Sequence, residues 1–91
     1  MNTTKPIDIA TLKAEISVQL GLDPQNPPVN VDDKQAAFAL GVKPTTLAVW
    51  RSTGRYNLPY LKVGRLVKYR ISDLAEFLAS RTASHTSEVR A

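Results

Sequence analysis

The chain has no cysteine among its 91 residues, which excludes disulfide bonds and thiolate metal sites. No apolar run approaches the roughly 18 residues that a membrane-spanning helix needs. The polar residues 1–10 also lack the apolar core of a secretory signal. These absences predict a soluble, cytoplasmic protein that does not use a membrane as a partner.

Patterns that carry catalysis are missing as well. The single histidine, His85, lies in a polar stretch near the C-terminus, and no glycine-rich loop is suited to cradling a phosphate. The carboxylates are scattered and do not pair at a spacing typical of acid–base catalysis. We therefore expect no enzymatic activity, no cofactor and no metal ion.

Acidic residues are absent from the middle of the chain, where cations are concentrated. Between Lys34 and Ser72 there are eight basic residues and no acidic one, although the whole chain contains eight carboxylates. A surface with one sign of charge builds up a potential that attracts a polyanion. We call this stretch the acid-free window; its cations are Lys34, Lys43, Arg51, Arg55, Lys62, Arg65, Lys68 and Arg70.

Apolar spacing and helix-breaking residues divide the chain into three parts. Residues 1–30 are predicted to form an N-terminal helix followed by a proline-rich linker, and residues 31–80 a folded domain. Residues 81–91 are small, polar and aperiodic, so a disordered tail is expected. The N-terminal helix, stopped by Gly21, is predicted from an apolar stripe of Ile9, Leu12, Ile16 and Leu20.

The first half of the folded domain is predicted to be a helix-turn-helix. Asp32 and Gln35 have the spacing of a capping box, and helix A is expected over Asp33–Leu40. Gly41 suits a left-handed turn, and Pro44 suits the first position of a helix B that runs to about Thr53. The angle between the helices is expected to be filled by Ala36, Ala37, Leu40, Val42, Leu47 and Trp50.

A hairpin and a third helix are predicted to follow. Alternating β-branched and aromatic residues flank Gly64-Arg65, which indicates two strands and a short turn. Ser72 is expected to cap helix C, from Asp73 to about Ser80. The predicted fold is therefore mostly α with a small β-hairpin: a winged helix-turn-helix, made of helix A, helix B, a two-stranded wing and helix C, preceded by an N-terminal helix.

Helix B is the predicted groove helix, because an α-helix fits the DNA major groove and presents side chains to base edges. Arg65 at the hairpin tip suits the minor groove, where the negative potential is deep. An ordinary solvated helix face and a basic edge strand remain the alternatives. Outward positions on helix B are Thr45, Ala48, Val49 and Ser52, and the predicted phosphate contacts are Lys43, Arg51, Arg55, Lys62, Lys68 and Arg70.

The stretch Val31–Leu78 resembles the MerR-like winged helix-turn-helix domains of phage excisionases and AlpA-type prophage regulators. The resemblance covers about half the chain and rests on Asp33–Ala37, Leu40–Leu47, Leu58–Gly64 and Tyr69–Leu74. It implies that the second helix enters the major groove and that the wing reaches the minor groove. On this resemblance the groove helix carries Lys43, Thr45, Thr46, Ala48 and Arg51, and the wing tip carries Arg65.

The chain departs from the family pattern at two places. Lys43 stands where the family often has serine, so helix B lacks a side-chain cap. The loop Thr53–Asn57 looks longer than in many relatives, which affects where the wing is placed.

Two functions are compatible with these patterns. The first is sequence-specific binding of double-stranded DNA, as a small transcriptional regulator or an excisionase-type recombination accessory factor. A homodimer or a cooperative array on DNA, assembled through Ile9–Leu20, is expected in that case. The alternative is an adaptor that docks an integrase or another protein.

Overall fold

The computed structural model describes the backbone of residues 8–89 and the side chains of residues 8–81. It is mostly helical with a small three-stranded antiparallel sheet, which confirms the predicted fold class at that level. Residues 1–7, at the start of the predicted N-terminal segment, lie outside this description. The elements are α1 (Ile9–Gln19), β1 (Asn30–Asp32), α2 (Asp33–Leu40), α3 (Pro44–Thr53), β2 (Leu61–Val63), β3 (Leu66–Arg70) and α4 (Ile71–Val89).

Helix α1 forms where the apolar stripe predicts it, and both of its ends have local causes. The side chain of Asp8 accepts a hydrogen bond from the backbone N–H of Ala10, so it caps the first turn. At the other end, Gly21 adopts a φ of 77°. The following N–H, that of Leu22, donates to the carbonyl of Ser17 at 2.7 Å.

The apolar stripe of α1 packs against α4 of the same chain. Ile16 is buried, and the other stripe residues are half-buried against the core. The apolar side chains on this face of α1 are therefore already removed from water within one molecule. The stripe is occupied within the chain, and assembly of copies through Ile9–Leu20 stays a prediction.

Strand β1 was not predicted, so the sheet has three strands where the sequence indicated two. It pairs with β3, with Val31 opposite Tyr69 and Asp32 opposite Lys68, and the strand order is β1-β3-β2. Three residues between a proline-rich linker and a helix are too short to show the alternation that identifies a strand. The pairing depends on a partner about 40 residues further along the chain, which local patterns do not reveal.

Helix α4 begins earlier and ends later than predicted. It starts at Ile71, directly after β3, and the Ile71 N–H donates to the carbonyl of Val29 at 3.0 Å. Ser72 therefore lies inside the helix, and the prediction that it is the cap is wrong. The backbone is helical to Val89, past the predicted end near Ser80, where the apolar periodicity stops. The predicted disorder of residues 81–91 stays a prediction, because side chains beyond Arg81 lie outside the description.

The core lies between α1, α2, α3, α4 and the inner face of the sheet. Its buried apolar residues are Ile16, Val31, Ala36, Ala37, Leu47, Leu58, Tyr69, Ile71, Leu74 and Ala75. Among the helices of the described residues, none has the length and apolar character required to cross a bilayer.

The junction between α2 and α3 follows the sequence prediction. Ala37 and Leu47 are fully buried where the helices meet, and Gly41 has a φ of 74°. The N–H of Val42 donates to the carbonyl of Ala37 at 3.0 Å, which closes the end of α2. A side chain at position 41 would be strained in this left-handed conformation.

The capping box at the start of α2 gives a direct test of the local structure. The side chain of Asp32 accepts from the N–H of Gln35 at 2.7 Å, and the Gln35 amide oxygen accepts from the N–H of Asp32 at 3.0 Å. We expect Asp32→Ala to lower the free energy of unfolding by about 1 kcal/mol, measured by urea denaturation. Asp32→Asn, which retains an acceptor, is the matched control; an equal loss in both variants would contradict the capping role.

Candidate functional site

Helix α3 presents one continuous exposed face between its two caps. Thr45, Ala48, Val49 and Ser52 are exposed on it, as predicted, while Thr46 is half-buried. The hydroxyl of Ser52 donates to the carbonyl of Val49 at 3.1 Å. Its proton is therefore used within the helix, which leaves Ser52 mainly as an acceptor. Thr45, Ala48 and Val49 remain as side chains that can contact another molecule.

The start of α3 has a charged residue in place of a polar cap. Lys43 is the N-cap residue and makes no side-chain capping hydrogen bond, and Pro44 occupies the first turn. The Thr46 N–H donates to the Lys43 carbonyl at 2.9 Å, so it is not free to bind an anion. The exposed ammonium of Lys43 therefore supplies positive charge at the end of the helix where the dipole is also positive.

Arg51 has partners inside the domain that the sequence did not predict. Its Nη1 atom donates to the Oδ1 atom of Asp33 and to the hydroxyl of Tyr69, both at 2.8 Å, and its side chain is 19% exposed. These partners belong to α2 and β3, so Arg51 links α3 to both elements. The prediction that it contacts a DNA phosphate stays a prediction, and the Nη1 atom is already engaged inside the domain.

The ionisation behaviour of this network follows from burial and hydrogen bonding. Burial acts to lower the pKa of Arg51, but hydrogen bonds to Tyr69 and Asp33 outweigh it and raise that pKa above its ordinary value. Burial raises the pKa of the Tyr69 hydroxyl, although the hydrogen bond from Arg51 opposes that shift. At neutral pH the network consists of a cationic Arg51 and a neutral Tyr69.

The connector after α3 is held in a left-handed conformation. Gly54 has a φ of 70°, and Tyr56 and Asn57 have φ values of 65° and 53°. This conformation costs a residue such as Tyr56 about 1–2 kcal/mol, whereas asparagine tolerates it more readily. Ring contacts offset that cost: the Tyr56 ring lies 4.8 Å from the Trp50 ring, and the Arg81 guanidinium lies 4.4 Å from the Tyr56 centroid. Trp50 is half-buried and packs in this cluster, in line with its predicted place beside the core.

An open cleft separates the end of α3 from the segment that leads into the hairpin. Its volume is about 450 Å³, and its lining includes Arg51, Arg55 and Tyr60. Arg55 is exposed, with its guanidinium 5.4 Å from the Tyr56 ring. Arg55 therefore remains a candidate for contact with an anion at the C-terminal end of α3.

The four predicted cations of the hairpin lie at different places: one is in the turn, and the others are divided between the two faces of the sheet. Arg65 is exposed in the two-residue turn between Val63 and Leu66, where Gly64 has a φ of 61°. Lys62 lies opposite Val67, so it is on the same face as Tyr69, whereas Lys68 and Arg70 alternate onto the other face. The Nε atom of Arg70 is 3.9 Å from the Oδ2 atom of Asp73.

Most cations of the acid-free window have no carboxylate partner. Within residues 8–81, the ion pairs are Arg51 with Asp33 and Arg70 with Asp73. Both carboxylates come from just outside the window. The cations left without a carboxylate partner in this part of the chain are Lys34, Lys43, Arg55, Lys62, Arg65 and Lys68.

Two residues of the site were missed by sequence reasoning. Asp33 was read only as the first residue of helix A, and Tyr69 only as a hydrophobic strand residue. Each lies 18 positions from Arg51, and no local pattern joins residues at that separation. A buried tyrosine generally needs a partner for its hydroxyl, and this is the one signal that pointed to a nearby donor or acceptor.

Comparisons with known proteins do not identify this chain. No family model matches it, and no curated protein matches it either. Among the described residues, no group of three His, Asp or Glu side chains is placed to hold a metal ion.

The link between Arg51 and Tyr69 predicts a pH-dependent contribution to stability. We expect Tyr69→Phe to lower the free energy of unfolding by about 1.5 kcal/mol at neutral pH, since a hydrogen bond to a charged group is lost. A raised folded-state pKa contributes stability that is present below the unfolded pKa of 10.0 and is lost as pH rises through the folded value.

The difference in stability between the parent protein and Tyr69→Phe should therefore shrink above pH 10, measured by urea denaturation across pH. Tyr60→Phe is the matched control, because the Tyr60 ring is 43% exposed and the substitution should leave stability nearly unchanged. An equal pH profile for Tyr69→Phe and the parent protein would contradict the assignment.

Proposed function

We propose that this protein binds double-stranded DNA in a sequence-specific manner, as a small transcriptional regulator or an excisionase-type recombination accessory factor. In this proposal α2, α3, the β2–β3 hairpin and α4 act as a winged helix-turn-helix domain. The family resemblance noted above supplies the precedent for that arrangement. The arrangement of unpaired charge around α3 and the hairpin is the observation that carries the proposal.

That arrangement has positive charge at three places, and the sequence between them contains no carboxylate. Lys43 is at the start of α3, Arg55 follows its end, and Lys62 and Arg65 are on the hairpin. None of the four has a carboxylate partner among residues 8–81. Cations of this kind release counterions when they neutralise phosphates, and this supplies a large share of the affinity for DNA.

The exposed face of α3 supplies groups suited to base edges. Thr45 can exchange hydrogen bonds with a base, and the methyl groups of Ala48 and Val49 can contact a thymine methyl group. Thr46 is half-buried, so we do not include it among the residues that contact bases. Ser52 remains among them, because its hydroxyl oxygen can accept a hydrogen bond from a base.

The hairpin is assigned to the minor groove through Arg65. Its side chain is at the tip of a thin two-residue turn, and narrow A·T-rich minor grooves attract arginine. Lys62 projects from the helix-facing side of the sheet and is assigned to the phosphate backbone beside that groove. Lys68 is retained as a weaker phosphate candidate because it is half-buried. We do not assign Arg51 and Arg70 to phosphates in this proposal, because each has a carboxylate near it.

Salt dependence tests this proposal. Five cationic contacts, four on phosphates (Lys43, Arg55, Lys62 and Lys68) and one in the minor groove (Arg65), predict that the logarithm of the association constant for duplex DNA falls with log salt at a slope of about −4 to −5. Filter binding or fluorescence anisotropy on a short duplex gives the slope. Affinity that does not change with salt would overturn the proposal.

Single substitutions separate contact residues from positioning residues. We expect Lys43→Ala to reduce the magnitude of the salt slope by about 1, because one phosphate contact is lost. Arg51→Gln should weaken binding through misplacement of α3 but leave the slope unchanged. Circular dichroism should verify that Arg51→Gln is folded. A smaller salt slope in that variant would show that Arg51 contacts a phosphate.

The adaptor alternative predicts the opposite response to charge. If the domain docks an integrase or another protein without touching DNA, reversing charge with Lys43→Glu and Arg65→Glu leaves its function intact. If the proposal is correct, the double reversal abolishes DNA binding. Selection of bound sites from random duplexes then identifies the target sequence.

A further inference from the structure

The cleft at the end of α3 has an apolar floor and aromatic walls. Its volume of about 450 Å³ lies within the roughly 300–1,000 Å³ that is typical of small-molecule sites. Leu47, Leu58 and Tyr69 line it and are buried, which makes them its floor. Trp50 and Tyr60 line it as well and add ring surface. The cleft can therefore accept a small molecule with an apolar ring.

The cleft lies behind α3, on the side opposite the residues proposed to contact bases. Successive residues of an α-helix are about 100° apart, so residues three and four positions apart share a side. Leu47, Trp50 and Arg51 form one such group, and they line the cleft. DNA on the exposed face is not placed to fill it. That exposed face lies about 180° away around the helix axis and consists of Thr45, Ala48, Val49 and Ser52.

Hydrogen-bond donors in the lining of the cleft lack acceptors within the described chain. The Tyr69 hydroxyl is buried and accepts a bond from Arg51, and no residue from 8 to 81 accepts the proton of that hydroxyl. Arg51 uses its Nη1 atom for both of its bonds, which leaves its Nε and Nη2 atoms without an acceptor in the same part of the chain. A buried donor is costly until it finds an acceptor. These donors favour a ligand that supplies acceptor oxygens.

The charges around the cleft match an anion with a single charge. Arg51 and Arg55 line it, and the described residues contribute no Asp or Glu to the lining. Asp33, which is outside the lining, already pairs with Arg51 at 2.8 Å. Two cations and one carboxylate leave one net positive charge. A carboxylate supplies one negative charge and two acceptor oxygens, and its geometry matches a guanidinium fork.

We propose that the cleft binds a small aromatic carboxylate. The ring packs on the buried floor, and the carboxylate accepts hydrogen bonds from Arg55, Arg51 and Tyr69. The left-handed connector holds one wall in place, because Gly54 and Asn57 also line the cleft. This site is a property of the protein alone and does not depend on DNA binding.

Trp50 gives a direct measurement of binding, because it is the single tryptophan of the chain and lines the cleft. Titration of the full chain with benzoate should shift the Trp50 indole N–H signal in NMR spectra. The dissociation constant should be on the order of 1 mM, as expected for so small a ligand. The absence of a saturable shift would overturn the proposal.

Two further probes separate the charge from the ring. Benzamide is a neutral isostere of benzoate, and acetate has the carboxylate without the ring. Each should bind at least ~10-fold more weakly than benzoate, since one loses the charged hydrogen bonds and the other loses the apolar contact. If either probe binds as tightly as benzoate, the proposal is wrong.

Substitutions locate the site. Arg55→Gln should weaken benzoate binding by about 10-fold, because a hydrogen bond to a charged group is lost. Lys34→Gln is the matched control: it removes an exposed cation that is outside the cleft, and it should leave the affinity for benzoate unchanged. An equal loss in both variants would show that benzoate responds only to net charge, which would contradict a site in the cleft.

Dimethyl phosphate distinguishes this site from a subsite for the DNA backbone. It has the single charge of a backbone phosphate but no ring, so it should bind as weakly as acetate. Binding tighter than that of benzoate would show that the cleft accepts a phosphate, and the proposal would fail. Absence of DNA binding in the parent protein would sink the proposed function but leave the benzoate result intact.

Discussion

The hydrogen bonds from Arg51 to Asp33 and Tyr69 are the interaction on which the arrangement of the domain depends. They connect the start of α2, the C-terminal half of α3 and the middle of β3 through one guanidinium group. Hydrophobic burial brings these elements together but has little directional preference. Both bonds leave one atom, Nη1, so they tie α3 to α2 and to β3 at a single point. Any surface made from α3 and the hairpin together depends on that tie.

A partly buried cation of this kind is costly unless its partners are complete. Asp33 supplies the opposite charge, and the Tyr69 hydroxyl supplies a neutral acceptor in the buried layer. The left-handed connector acts in the same direction, because its ring contacts with Trp50 and Phe77 hold the segment between α3 and the hairpin. The hydrogen bonds of Arg51 and the aromatic packing after the end of α3 therefore both position α3 relative to the hairpin.

Local patterns predicted the parts of the fold whose causes are local. The capping box at Asp32, the glycine turn at Gly41 and the hairpin turn at Gly64 each depend on residues within a few positions, and each is present. Strand β1, the early start of α4 and the partners of Arg51 depend on distant residues, so sequence periodicity does not show them. The same limit applies to charge: counting cations found the acid-free window, and Arg70 is only three residues from Asp73, but only the fold brings Asp33 to Arg51.

The pairing of β1 with β3 also sets the order in which the domain can be completed during synthesis. Asp33 and Arg51 are synthesised before Tyr69, but α2 and α3 have only 8 and 10 residues, and helices this short are marginal in water without packing partners. Closing the long loop between β1 and β3 has an entropic cost that only the finished sheet repays. A nascent chain that ends before β3 therefore lacks the strand that both the sheet and the Arg51 hydrogen bonds require.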